Sequence, residues 1–139
     1  MANNIITLTR GDTFDFNVTV FEELYGHYYT GTRMGDIIEF ALMYPNQPYI
    51  YKDVEFDADG NQVKRNLEVD PLPIRQQIII KDNNPNDECI FYLENSDTKD
   101  LPIGVYYYTI KLIRKPYENE NFEMQVLTIV NKTKFVLNG

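Results

Sequence analysis

Few side chains in this sequence are equipped to carry a reaction. His27 is the only histidine, Cys89 the only cysteine and Ser96 the only serine among 139 residues. A nucleophile paired with a base would have to be built around that one imidazole. His27 lies between Tyr25 and the pair Tyr28 and Tyr29, in a stretch better suited to packing or partner contact. There is no Gly-x-Ser-x-Gly elbow and no glycine loop of the kind that cradles phosphate. One cysteine excludes an intrachain disulfide framework, and together with one histidine it leaves too few soft ligands for a structural zinc. Cys89, followed by Ile90 and Phe91, reads as a small buried apolar residue. Glu55, Asp57, Asp59 and Gly60 copy the first half of a calcium loop, but Asn66 stands where its bidentate glutamate belongs. A hairpin turn of type I′ explains Asp59-Gly60 without a metal. The 21 acids give no carboxylate pair in an informative context, and no Trp is present to stack on sugar rings. The expectation is a protein that is not an enzyme and uses no cofactor or metal.

Two short motifs have simpler readings than their functional ones. Arg10-Gly11-Asp12 spells an integrin-binding tripeptide, yet glycine and aspartate are also what a tight reversal between two strands prefers. Asn17-Val18-Thr19 and Asn131-Lys132-Thr133 are formal glycosylation sequons. The opening Met1-Ala2-Asn3-Asn4 lacks the basic cluster and apolar stretch of a secretory signal, which argues against their use.

Thirteen Lys plus Arg against 21 Asp plus Glu leave a net charge of −8. Such a surface repels phosphate backbones and anionic lipid, so neither nucleic acid nor a membrane surface is expected as a partner. No apolar run approaches the roughly 20 residues needed to cross a bilayer. At 43% hydrophobic residues the chain can build a core, and its length suits one domain over 1–139.

The elements that must position these residues are strands. From Thr13 to Val20 apolar residues hold every even position, which places Phe14, Phe16, Val18 and Val20 on one face of a strand. Asp36–Tyr44 repeats this with Ile38, Phe40, Leu42 and Tyr44 in phase and Glu39 opposite; Val105–Ile113 does so with Tyr106, Tyr108, Ile110 and Leu112. Shorter strands are expected at Ile5–Arg10, Tyr49–Val54, Ile78–Lys81, Cys89–Leu93, Met124–Val130 and Lys134–Leu137. Glu22–Gly35 and Phe56–Pro73 read as irregular. No sustained 3.6-residue period occurs, so any helix must be short. Many short strands without alternating helices predict an all-β, antiparallel sandwich or barrel.

Aromatic content is high, with 11 Tyr and 8 Phe. Tyr25, Tyr28, Tyr29 and Tyr117 fall in predicted loops, and exposed tyrosines suit partner binding because they bury much area at low entropic cost. Edge strands such as Ile5–Arg10 or Lys134–Leu137 are candidates for pairing with a partner's sheet.

The stretch from Asp97 to Ile110 resembles the corner of immunoglobulin-like sandwiches: an acidic turn, Leu101, Gly104, then Tyr106 entering a core strand. The resemblance implies that the Tyr106 hydroxyl bonds to backbone a few residues upstream. Tyr108 stands where antibody domains carry a disulfide cysteine, so packing must hold that core. The order Arg10-Gly11-Asp12, then Gly35-Asp36, then Asp97-Thr98-x-x-Leu101-x-x-Gly104-x-Tyr106 is similar to small tailed-phage virion domains, in particular the N-terminal immunoglobulin-like module of phage baseplate upper proteins. That likeness implies an antiparallel immunoglobulin-like β-sandwich working as a virion structural protein. Its partners would be other phage virion proteins (capsid, baseplate or tail subunits), with self-association in a symmetric assembly. A head-surface decoration role and a baseplate or tail role both fit. Ending at Leu137-Asn138-Gly139, the chain leads one to expect a stand-alone module rather than a receptor-binding fibre. A carbohydrate-binding module on the virion surface is the alternative.

Overall fold

A computed structural model describes residues 4–18, 21–24, 27–30, 32–63, 71–81 and 89–139, with the backbone alone for 21–24 and 27–30. The fold is all-β. Its strands are β1 (Ile6–Thr9), β2 (Phe14–Val18), β3 (Phe21–Leu24), β4 (His27–Thr30), β5 (Ile37–Met43), β6 (Ile74–Ile79), β7 (Cys89–Leu93), β8 (Gly104–Arg114) and β9 (Gln125–Asn138). A single helical turn, α1 (Asn95–Thr98), precedes β8.

One sheet runs β1-β9-β8-β5-β6, while β2 pairs with β7 and β3 with β4. The expectation of antiparallel pairing throughout is corrected at one place: β1 runs parallel to β9, Ile6 opposite Phe135 through Thr9 opposite Asn138. Glycine explains how. Gly11 adopts φ +89°, and the Asp12 N–H donates to the Thr9 carbonyl at 3.0 Å. That turn carries the chain out of the large sheet into β2 of another, so it is not a hairpin between paired neighbours.

The core forms where β2 and β7 lie across the large sheet. Phe16 meets Phe40 edge-on at 5.3 Å between centroids and stacks on Phe91 at 5.4 Å. Phe40 stacks in turn on Tyr108 at 5.4 Å. Alternation places these rings: in β2, Phe14, Phe16 and Val18 point inward while Asp15 and Asn17 are exposed. Cys89 is buried in the same core.

Several expected boundaries move. Tyr49–Val54 forms no strand; it is extended chain lying over the far face of the sheet. β6 starts at Ile74 instead of Ile78. The expected strands Met124–Val130, from Gln125 on, and Lys134–Leu137 belong to one strand, β9, interrupted by two register shifts opposite Tyr108–Lys111. Bulges of this kind absorb an extra residue and bend a strand without ending it. Part of the expected irregular segment Glu22–Gly35 is the β3–β4 hairpin. The Asp59-Gly60 turn is also of another type. Only Gly60 has positive φ (+83°), the Gly60 N–H donates to Asp57 O at 3.0 Å, and Asp57 pairs with Asn61. This is a three-residue loop with glycine in the left-handed position, not the two-residue type I′ turn.

Candidate functional site

The two motif stretches singled out in the sequence come together at one end of the fold. The Gly11 N–H donates to Thr98 Oγ1 at 2.9 Å, and Asn95 Nδ2 donates to the Gly11 carbonyl at 2.8 Å. Arg10 reaches the Leu101 carbonyl at 3.4 Å. Leu101 and Thr98 are fully buried. Tyr106 donates its hydroxyl to the Pro102 carbonyl four residues upstream, with Leu101 buried just before that carbonyl and Gly104 opening β8. Burial raises the Tyr106 hydroxyl above its ordinary pKa. In the Arg10-Gly11-Asp12 turn, both backbone groups of the glycine are therefore taken up by the corner.

Of the four tyrosines expected to bind partners, the structure describes the side chain of Tyr117 alone and the backbone of Tyr28 and Tyr29. Tyr25 lies outside the described residues. Tyr28 and Tyr29 are strand residues of β4, opposite Glu23 and Glu22, which corrects their placement in a loop. Tyr117 is folded back onto the protein. Arg33 covers its ring at 4.0 Å, and its hydroxyl donates to the Met34 carbonyl. Arg33 in turn grips Glu120 with two N–H groups at 2.9 and 2.7 Å. That fork, with the Tyr117 N–H at 2.8 Å, lowers the Glu120 carboxyl to about 2. Beside it Asp36, almost wholly buried, accepts from Arg114 at 2.9 and 2.7 Å.

A second polar cluster escaped the sequence reading entirely. Glu39 on β5 is fully buried beneath residues 49–53. It accepts from Arg75 at 3.0 Å, from the Tyr49 hydroxyl at 2.5 Å and from Gln77. Arg75 and Gln77 also donate to the Ile50 and Lys52 carbonyls at 2.8 and 2.9 Å, which ties the overlying chain to the sheet. Burial, then the bond to Glu39, pushes the Tyr49 hydroxyl far above its usual pKa. Further out, Tyr51 and then Lys115 hold the Asp53 carboxyl below its ordinary value. The buried groups of Glu39, Arg75 and Gln77, with the Tyr49 hydroxyl, are thus committed to holding residues 49–53 on the sheet. The signal that would have revealed it is Arg75-Gln76-Gln77 beside Ile78, a polar run within a strand.

On the outer side of β6 a side chain takes two backbone positions. Gln62 donates to the Arg75 carbonyl at 2.7 Å and accepts from the Gln77 N–H at 2.7 Å, filling the place of a neighbouring strand. β9 is different. β1 covers it only from Phe135 to Asn138, so Gln125 to Lys134 has no strand on that side among the described residues. The expected edges Ile5–Arg10 and Lys134–Leu137 largely pair with each other; among the described residues no strand pairs with β9 upstream of them. Val126 and Leu127 on it are 39% and 48% exposed. Next to it a cleft of about 350 Å³ opens between the layers, walled by Ile5, Phe16, Val18, Tyr108, Ile110 and Ile129.

Chemically, the arrangement offers an exposed strand segment beside a cleft whose walls mix apolar side chains with Asn4 and Asn17. Among the described residues no three His, Cys, Asp or Glu side chains are grouped to hold a metal ion. In the turn that mimics a calcium loop, Asp57 Oδ1 accepts the Asp59 and Asn61 N–H groups at 3.0 and 2.9 Å. No protein-family model, curated protein or solved structure matches this chain.

Proposed function

We propose that this chain is a non-enzymatic docking module with an immunoglobulin-like β-sandwich fold, and that it is a structural component of a tailed-phage particle. The fold reading rests on correspondence of parts. β9-β8-β5-β6 take the places of the G, F, C and C′ strands of a variable-type sandwich, and β2–β7 those of B and E. Tyr106 occupies the corner position. β1 beside β9 is the one departure from antiparallel order.

One observation carries the docking function: among the described residues no strand pairs with β9 from Gln125 to Ile129 on the side that β1 takes further along. Unpaired strand edges present donors and acceptors that another chain's backbone can complete. The particle context rests on the order of the Arg10-Gly11-Asp12, Gly35-Asp36 and Asp97-to-Tyr106 motifs. The partners are capsid, baseplate or tail subunits, and many copies on a lattice make modest single contacts tight through avidity.

Mass spectrometry of gradient-purified particles tests this, using a phage-producing culture that expresses the chain. It should appear at a fixed ratio to the major structural proteins. Recovery only from the particle-free fraction would end the virion reading.

A further inference from the structure

We infer that a docking partner of this chain is a second copy of itself, joined front to back. Lysines on the outer face of the large sheet enter an acidic hollow on the β2–β7 layer of the next copy. This deepens the docking reading above by naming a partner, and it uses the broad faces of the two layers instead of the edge of β9. Two surfaces of opposite charge carry it.

The front is basic in a chain whose net charge is −8. Tyr107 and Lys111 alternate with the core residues of β8 and so lie on the side away from the core. Lys134 is the cross-strand partner of Tyr107, and the Lys132 ammonium lies 5.2 Å from the Tyr107 ring. Lys111 donates to Thr128 Oγ1 at 2.7 Å and lies 5.0 Å from the Tyr49 ring. Among the described residues none of these three lysines forms an ion pair. Glu39, across the strand from Lys111, is buried and engaged with Arg75. Beyond the end of β8, Lys115 and Asp53 meet at 3.0 Å and cancel.

The back is acidic. In β2 and β7 the residues that face away from the core are Asp15, Asn17, Ile90 and Tyr92, with Ile90 40% and Tyr92 57% exposed. Asp15 stands directly across from Tyr92. Exposed Glu94 follows β7, and β2, β7 and α1 contain no Lys or Arg. A hollow of about 360 Å³ opens here between Phe14, Asp15, Tyr92 and Glu94. Two carboxylates beside an exposed ring attract an ammonium group both by charge and through the ring face. Because front and back differ, the contact is heterologous, and each copy keeps one face open for the next. Two like faces would set lysine against lysine or carboxylate against carboxylate, which charge opposes. A polyanion such as nucleic acid would meet the front but has nothing that suits the acidic hollow.

Sedimentation velocity of the full chain tests this. Average mass should rise with protein concentration up to about 1 mM, and fall back as added salt shortens the screening length from ~8 to ~3 Å. Lys132→Glu with Lys134→Glu reverses the front, and Asp15→Lys with Glu94→Lys reverses the back. Each should weaken association at least about tenfold. All four side chains are exposed, so both variants are expected to fold, which circular dichroism checks. An equal mixture of the two variants should associate again, because every front-to-back contact between them joins opposite charges. A chain that stays monomeric throughout, a reversal that leaves association unchanged, or a mixture no stronger than its parts would each overturn the proposal. A chain built into particles yet monomeric in solution defeats this inference alone. Association by a chain absent from particles defeats the virion reading alone.

Discussion

Replacing Arg75 with methionine probes the buried cluster that holds residues 49–53 against the sheet. The Glu39 and Arg75 side chains are 0% and 3% exposed, and their ion pair is 3.0 Å long. Arg75→Met leaves the Glu39 carboxylate with the Tyr49 hydroxyl and the Gln77 amide but without a countercharge. Breaking one side of a buried pair costs about 3–5 kcal/mol, because the remaining charge stays desolvated. The Ile50 carbonyl also loses its donor, worth about 1 kcal/mol. With a denaturant slope of ~2 kcal/mol per molar urea, the unfolding midpoint should fall by ~2 M. Glu39→Gln together with Arg75→Met removes the stranded charge while keeping an acceptor, and should recover at least ~1 kcal/mol relative to Arg75→Met alone. Urea titrations of the parent, both single variants and the double variant complete the cycle. An Arg75→Met variant within ~1 kcal/mol of the parent, or a double variant equal to the sum of the singles, would refute the reasoning.

Three further outcomes follow from the geometry. The Glu120 carboxyl titrates at about 2, below its unfolded-state value, so the Arg33 fork stabilises the fold fully above the ordinary carboxylate range and loses its contribution as pH falls toward 2. Arg33→Met should raise the Glu120 titration, followed by carbon NMR, toward the ordinary range near ~4.3, with the Tyr117 N–H still holding it somewhat below; an unchanged titration would contradict this. Tyr106→Phe deletes the corner bond to the Pro102 carbonyl and should cost about 1 kcal/mol in thermal or urea unfolding, with an unchanged midpoint counting against the corner. Gly11→Ala forces a side chain into φ +89° with its Cβ 3.1 Å from Asn95 Nδ2, and should destabilise by about 1–2 kcal/mol. Stability equal to the parent would mean that this turn relaxes freely.

Much of the fold was legible because half-buried strands write their faces into alternate residues. Phe14, Phe16 and Val18 and the series Tyr106 to Leu112 sit inside as their spacing requires, and Cys89–Leu93 is bounded as read. The corner was legible because Leu101 and Tyr106 lie close in sequence. What failed depended on distant chain. Tyr49–Val54 has the composition of a strand, but the Ile50 and Lys52 carbonyls are met by side chains rising from β6 and not by a ladder. The polar run Arg75-Gln76-Gln77 hid the start of β6 because Arg75 and Gln77 face that overlying segment instead of water. Asn131-Lys132-Thr133 looked like a break, yet bulges let β9 continue through it. The partner of β9 was invisible for a related reason: the stretch Phe135–Asn138 is paired by β1, more than a hundred residues away in sequence.

The glutamine amide on β6 bears on how copies or partners accumulate. With Gln62 occupying the Arg75 carbonyl and the Gln77 N–H, any strand arriving on that side of the large sheet would first have to displace an amide already bonded there. An edge that must give up an existing bond before it can pair is slower to join another sheet than one that need not, and open head-to-tail growth needs two edges that join readily. Shortening Gln62 to alanine would remove that obstacle at two positions of β6.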